Sequence, residues 1–277
     1  MRLGRPAWVL QVYAVQNILA WILLAVLLRR WLPAVSLRHW AAWCGCLFAN
    51  GLISSVRQSL TEGPGLALIA LAVVSSEQGR SLLAAALLGV SGLGRETNLL
   101  AAPAIVSPFG FNRGLRVRQI GMAIVIVGPA LLWIGYLRLL LGPEVFSAGS
   151  NLTVPFKDAV TKIAATIREL RFDGWSSPAL HSALALASLG VQATYLTWRA
   201  EWHSRWWRVG MPYVALATVL AGPVWAGHPG AFTRVLLPMT VAFNVLLPSS
   251  RWFWPILILG NLSVVAGFAL LLSGLPR

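Results

Sequence analysis

The sequence predicts an all-α protein, a polytopic transmembrane helix bundle of about 9–10 membrane segments with one amphipathic helix on the membrane surface. Three observations support this prediction. Of the 277 residues, 57% are hydrophobic and only 11% are charged, whereas soluble domains are about 25% charged. The mean hydropathy of +0.72 means more apolar surface than one soluble core can bury. Apolar runs of membrane-crossing length also recur along the chain, so lipid is the expected solvent.

The expected membrane segments follow one another along a single integral membrane domain, residues 1–277. They cover residues 7–28, 40–56, 59–76, 81–94, 97–109, 119–141, 176–197, 209–226, 231–249 and 252–273. Residues 81–109 are predicted to form a hairpin of two short helices. A single helix there would hold Arg95 and Glu96 at mid-membrane, at a cost of about 2.5–3.5 kcal/mol each.

Arginine clusters predict the orientation of these segments. Three clusters share one side of the membrane only if residues 81–109 form a hairpin: Arg29, Arg30 and Arg38; Arg113, Arg116 and Arg118; and Arg199, Arg205 and Arg208. The positive-inside rule makes this side cytoplasmic, so Arg95 and Glu96 are expected on the extracytoplasmic side. The net charge of +14 therefore indicates contact with anionic lipid headgroups. No nucleic-acid recognition motif accompanies the basic residues, and no nucleic-acid partner is expected.

Residues 142–175 form the one substantial hydrophilic segment, an expected extracytoplasmic loop. Within it, Phe156, Val160, Ile163 and Ile167 recur at helical spacing, and charged residues occupy the opposite face. This pattern is typical of an amphipathic helix lying on a membrane surface. Two interpretations are open at this point: a lid over the end of the bundle, or a surface that guides a lipid-linked substrate.

Polar residues from separate helix junctions collect at the predicted extracytoplasmic end. Glu62 and Glu96 are the candidate catalytic residues, because a carboxylate can deprotonate an acceptor hydroxyl. Arg57, Arg95 and Arg234 are the candidate phosphate-binding residues, because guanidinium groups bind and neutralise phosphate. Structural alternatives are open for three of them: Glu62 as a helix cap, Arg95 as an ion-pair partner of Glu62 or Glu96, and Arg234 as an interfacial residue.

The other chemistry-bearing residues match no established site motif. Cys44 and Cys46 have no second pair of ligands, and the histidines are scattered, so no metal site is predicted. The sequence contains no phosphate-binding P-loop, nucleophile elbow or HExxH pair. No cofactor is expected, and a requirement for a divalent metal is left open.

Three short motifs occur in an order that resembles a known family. SLTEGPGL at residues 59–66 opens one segment, GLGRETNLL at 92–100 follows the next, and FTRVLLP at 232–238 opens a late segment. This order resembles bacterial multi-span proteins of the GT-C glycosyltransferase superfamily, including mannosyltransferase-like and cell-surface glycopolymer proteins. In those proteins a Thr-Glu at a helix start and an Arg-Glu-Thr after the next span recur.

The resemblance implies transfer of a sugar from a polyprenyl-phosphate donor, for surface glycan or glycolipid assembly. It implies a bacterial inner membrane location, with membrane lipid and the polyprenyl-phosphate-linked sugar as partners. It also implies an acidic residue as base and basic residues around the lipid phosphate, which would place Glu62, Arg95, Glu96 and Arg234 around the site.

The first family element is expected to be missing from this sequence. The principal acid of such proteins usually lies in a first extracytoplasmic loop after a first helix, whereas Met1 stands just before what resembles their second span. This comparison leaves two interpretations open: a GT-C-type glycosyltransferase whose N-terminal part precedes Met1, or a truncated form that is inactive. The alternative class is a non-catalytic polytopic membrane protein, such as a scaffold, a flippase-like partner or a transporter, in which the same charges serve packing.

Overall fold

The computed structural model describes residues 6–106, 113–142, 151–172 and 177–273. Within these ranges the chain is all-α, as predicted, and its β structure is limited to an isolated bridge between Leu152 and Leu220. Parts of four predictions lie outside the described residues: 107–109 of one segment, 176 of another, 143–150 and 173–175 of the hydrophilic loop, and the side chains of Arg113 and Arg116.

The described α-helices are numbered in chain order. They are α1 Pro6–Leu28, α2 Leu37–Leu47, α3 Asn50–Arg57, α4 Glu62–Glu77, α5 Ser81–Gly94, α6 Arg113–Leu141, α7 Lys157–Phe172, α8 Ser177–Arg199, α9 Arg205–Val219, α10 Gly222–Trp225, α11 Phe232–Val235, α12 Leu237–Leu246, α13 Phe253–Gly260 and α14 Ser263–Ser273. Two 3-10 helices cover Glu96–Ala104 and Leu247–Ser249.

Two of these helices are long and apolar enough to cross a membrane, Trp8–Leu28 in α1 and Val117–Leu141 in α6. In their most apolar windows only 17% and 11% of the residues are buried. Their apolar side chains therefore face outward instead of filling a protein core, which is typical of contact with lipid or a partner. The other predicted segments form helices that are shorter, less apolar or interrupted.

Four of the predicted segments are interrupted. Residues 40–56 split into α2 and α3, 209–226 into α9 and α10, 231–249 into α11, α12 and a 3-10 turn, and 252–273 into α13 and α14. Specific contacts accompany two of the breaks. In α3, a Cβ added to Gly51 would overlap the backbone oxygen of Thr233. Between α13 and α14, the Asn261 amide exchanges hydrogen bonds of 3.0 and 2.9 Å with the Asn244 amide of α12.

The predicted hairpin around Arg95 is present, with one difference in its second arm. The first arm is α5, Ser81–Gly94, as expected. Arg95 then adopts an extended conformation, with φ −162° and ψ 122°, and the chain continues as the 3-10 helix Glu96–Ala104. Pro103 lies in this second arm and has no N–H to donate, which disfavours a regular α-helix there.

Charged residues separate to two ends of α4, which are about 24 Å apart for its 16 residues. At the end marked by Glu77, arginines of all three sequence clusters bond to the turn between α4 and α5: Arg30 to Glu77, Arg118 to Ser81, and Arg205 to Ser76. This end, which we call the basic end, therefore brings the three clusters together as the hairpin prediction requires. Glu62 lies at the other end of α4.

Candidate functional site

Glu62 lies at the centre of a charged cluster at the end of α4 opposite the basic end. Its side chain is 8% exposed. Arg95 Nη1 donates a hydrogen bond to Glu62 Oε1 at 2.5 Å, and Arg234 Nη1 lies 3.7 Å from the same oxygen. We call these three residues the Glu62 cluster. It joins parts of the sequence that are far apart and thereby places one carboxylate beside two guanidinium groups.

Each member of the Glu62 cluster lies at or near the end of a helical element. Glu62 is the first residue of α4, where a negative charge interacts favourably with the helix dipole. Arg95 occupies the extended link before the 3-10 helix, and Arg234 lies in the four-residue helix α11. The helix-start role and the Arg95 ion pair considered from the sequence are therefore both present in the structure.

Two hydroxyl groups form hydrogen bonds that fix the positions of Glu62 and Arg95. The Ser55 hydroxyl, from α3, lies 3.4 Å from Glu62 Oε2 and accepts the backbone N–H of Gly63 at 3.0 Å. The Thr61 hydroxyl donates to the backbone oxygen of Gly94 at 2.9 Å. Since Thr61 precedes Glu62 and Gly94 precedes Arg95, this bond fixes the two charged residues relative to each other.

The other two predicted site residues are exposed. Glu96 follows Arg95 directly and, within the described residues, forms no ion pair. Because Arg95 is extended, side chains of successive residues there point in different directions, which separates Glu96 from Glu62. Arg57 is exposed at the last residue of α3. The structure therefore brings together three of the five predicted residues, Glu62, Arg95 and Arg234.

Small polar residues beneath the Glu62 cluster were missed by the sequence interpretation. The Ser91 hydroxyl of α5 donates to the backbone oxygen of Gly65 in α4 at 3.0 Å, and the Asn98 amide donates to the backbone oxygen of Ser91 at 3.0 Å. These bonds tie α4, α5 and the 3-10 helix together. These residues could have been found from the sequence as isolated serine and asparagine residues in apolar runs, because such residues commonly form hydrogen bonds between packed helices.

The predicted amphipathic helix is present as α7, and its polar residues bond to the loop before α11. Asp158 Oδ2 accepts the backbone N–H of Gly222 at 2.7 Å, and Lys162 Nζ donates to the backbone oxygen of Gly227 at 2.8 Å. Burial at this contact lowers the pKa of the Lys162 ammonium, and the charge of Glu169 opposes that shift. The helix is thereby anchored to the chain segment that leads to Arg234.

A groove of about 650 Å³ lies beneath α7, between α8 and α9. Its walls are mainly apolar and include Ile163 of α7, Leu189 of α8 and Val214 of α9. The α12 side of the groove includes Leu236, only two residues after Arg234. The groove is thus a mainly apolar cleft suited to hydrocarbon, and one of its lining residues is close in sequence to Arg234.

No set of three or more His, Cys, Asp and Glu residues that could hold a metal ion occurs in the described part of the chain. Cys44 and Cys46 are both free thiols. Neither a protein-family model nor a curated protein nor a solved structure matches this chain.

Proposed function

We propose that this chain is a polytopic integral membrane glycosyltransferase that transfers a sugar from a polyprenyl-phosphate donor at the extracytoplasmic face of the bacterial inner membrane. The Glu62 cluster is the observation that carries this proposal. A mostly buried carboxylate next to two guanidinium groups supplies a general base and a phosphate-binding pair in one place.

The distribution of charge and helix breaks supports a bundle within a bilayer. The basic end faces the cytoplasm according to the positive-inside rule, so the Glu62 cluster faces the opposite side. Interrupted helices such as α2–α3 and α13–α14 are tolerated at membrane depth when other parts of the protein cover the break. The outward apolar faces of α1 and α6 then contact lipid.

Transfer begins when the donor phosphate competes with Glu62 for Arg95 and Arg234. Once the phosphate engages the two guanidinium groups, the Glu62 carboxylate is free to accept the proton of the acceptor hydroxyl. The hydroxyl oxygen bonds to the anomeric carbon while the bond from that carbon to the phosphate oxygen breaks. Polyprenyl phosphate leaves with the electron pair, and the two arginines stabilise its charge.

The apolar groove beneath α7 supports a lipid-linked donor. It is large enough, at about 650 Å³, to cover a substantial length of hydrocarbon. Its lining includes Leu236, two residues from Arg234, so we expect a hydrocarbon chain in the groove to have its phosphate on the side of Arg234. The bonds from Asp158 and Lys162 hold α7 over the groove, which favours the lid interpretation of this helix.

The decisive experiment compares Glu62→Gln with Glu77→Gln in proteoliposomes. Both residues are ion-paired glutamates at the ends of α4, but Glu77 belongs to the basic end. The assay follows label from undecaprenyl phosphate carrying radiolabelled hexoses or pentoses to a membrane-extract acceptor. We expect Glu62→Gln to lower the rate by about 100-fold or more, the usual contribution of a general base, and Glu77→Gln to retain it. Equal rates in both variants, or no transfer by the wild type from any donor, contradict the proposal.

A non-catalytic membrane protein is the second candidate, and one observation favours it. Two cations already neutralise Glu62, as in a charge cluster that only joins helix ends. Such a scaffold, flippase-like partner or transporter shows no transfer in the assay above. In that role, Glu62→Gln lowers the stability of the protein without removing any chemical activity.

A further inference from the structure

A second, smaller cavity of about 180 Å³ lies between α1, α4 and α5. Two of its wall residues are Thr61 and Gly94, which immediately precede Glu62 and Arg95 in the chain. The hydrogen bond from the Thr61 hydroxyl to the Gly94 carbonyl closes this side of the wall. The cavity therefore lies beside the chain segments that carry Glu62 and Arg95, and it shares no lining residue with the groove beneath α7.

The wall formed by α1 carries an unsatisfied hydrogen-bond acceptor. Asn17 lines the cavity and is 1% exposed. Its amide nitrogen donates to the backbone oxygen of Tyr13 at 3.0 Å, whereas its Oδ1 is buried without a partner. A Cβ at Gly63 would lie 3.2 Å from this oxygen, so the glycine keeps side-chain atoms away from it. Buried acceptors are normally paired, and this oxygen is enclosed by the protein, so it marks a polar spot behind the wall and not a contact open to the cavity.

Two more polar side chains of α1 line the same cavity, Tyr13 and Gln16. α1 is otherwise apolar enough to cross a membrane, and polar residues in such a helix are costly unless they serve a purpose. An aromatic ring, a hydroxyl and two amides offer an apolar face together with donors and acceptors, and none of them is charged. This chemistry suits a neutral ring that bears several hydroxyl groups.

We propose that this cavity is the subsite for the sugar ring of the donor, and that it takes one neutral monosaccharide. The inference rests on the proposed transferase function. Sugar hydroxyls bond to the exposed amide of Gln16, and the ring packs on Tyr13. The anomeric carbon then points toward the Glu62 cluster, where the phosphate is held. The size of the cavity, equal to about six water molecules, limits the subsite to a single ring.

Two pairs of variants test the subsite. Val90→Trp fills the cavity from α5, and Leu93→Trp is its control, since both residues are about half exposed on that helix but only Val90 lines the cavity. Gln16→Leu removes a cavity amide, and Gln11→Leu makes the same change on α1 outside the cavity. Saturation-transfer NMR on the protein in nanodiscs measures binding of methyl mannopyranoside, methyl glucopyranoside and methyl arabinofuranoside.

We expect at least one methyl glycoside to give a signal with the wild type. Val90→Trp and Gln16→Leu should reduce that signal fivefold or more, and the two controls should leave it unchanged. The inference is overturned if no glycoside binds the wild type, or if each variant binds as its control does.

The transfer assay separates this inference from the function on which it rests. If the wild type transfers sugar and Val90→Trp transfers as well as Leu93→Trp, the subsite is wrong and the transferase proposal stands. If the wild type transfers from no donor but Val90→Trp selectively loses glycoside binding, the subsite stands and the transferase proposal falls.

Discussion

Replacing Glu62 and Arg95 by glutamine, singly and together, measures how strongly the Glu62 cluster is coupled. Arg95→Gln leaves a carboxylate that is 8% exposed, with Arg234 at 3.7 Å as its nearest remaining cation. Glu62→Gln leaves two guanidinium groups, 25% and 23% exposed, without their counter-charge. The double change removes both partners of the closer pair, so only Arg234 is left without its counter-charge.

The expected magnitude follows from distance and burial. Charge centres about 4 Å apart attract by about 4 kcal/mol at an effective dielectric constant of about 20. Breaking a buried pair costs about 3–5 kcal/mol, whereas exposed pairs contribute about 0.2–1 kcal/mol. Because Arg95 is a quarter exposed, we expect each single variant to lose about 2–3 kcal/mol of unfolding free energy. The coupling energy in the double-mutant cycle should be about 1–2 kcal/mol.

The assay is steric-trap unfolding in bicelles, with the pair of Arg30 and Glu77 at the basic end as control. That pair is joined at 2.8 Å, but its side chains are 46% and 21% exposed. Its coupling energy, measured with the same glutamine substitutions, should stay below about 1 kcal/mol. A coupling between Glu62 and Arg95 no larger than that of the control refutes the reasoning.

Three further predictions concern packing and the α7 contact. Gly51→Ala should lower the unfolding free energy by about 2 kcal/mol or more, because the added Cβ overlaps the backbone oxygen of Thr233 in α11. Gly121→Ala, with nothing within 4 Å of the added Cβ, should be neutral or stabilising, and thermal melting compares the two variants. Asn261→Leu leaves the Asn244 amide without a side-chain partner and should cost about 1–3 kcal/mol, but replacing both residues by leucine should cost less than the sum. Lys162→Met removes the bond that anchors α7, so limited proteolysis should cut α7 faster at unchanged helix content measured by circular dichroism; an unchanged cleavage rate contradicts the anchoring role.

Periodicity and hydropathy predicted the long elements well. α1 and α6 match their expected segments closely because each is an apolar run whose outer face is exposed in the part of the chain that the structure describes. α7 was predicted because its apolar residues repeat at helical spacing in a polar segment. These features depend on local sequence, so no knowledge of distant contacts was needed.

The sequence interpretation did not predict the helix breaks. Gly51 lies in an apolar run that hydropathy treats as continuous, yet its backbone packs against Thr233 from a distant part of the chain. The pairing of Asn261 with Asn244 likewise depends on the fold that brings α12 beside the junction of α13 and α14. A single sequence specifies these residues but not their partners.

The candidate site was predictable in part for a similar reason. The prediction that Arg95 and Glu96 lie at a turn followed from the cost of charges at mid-membrane, and it placed Arg95 at the same end as Glu62 and Arg234. The sequence did not show which carboxylate, Glu62 or Glu96, lies beside the arginines. That depends on the extended conformation of Arg95, which directs the Arg95 side chain to Glu62 and the Glu96 side chain away from it. The contribution of Ser55 required the packing of α3 against α4.

The placement of α4 and α5 across a bilayer is the central claim, because the orientation and chemistry of the Glu62 cluster depend on it. Single cysteines test it directly in a chain whose Cys44 and Cys46 are replaced by serine and alanine. Gln78→Cys marks the turn at the basic end, and Glu96→Cys marks the opposite end; both native residues are exposed. We predict that a membrane-impermeant maleimide labels position 96 in intact spheroplasts and position 78 only after permeabilisation. Labelling of both positions from the same side would contradict the account.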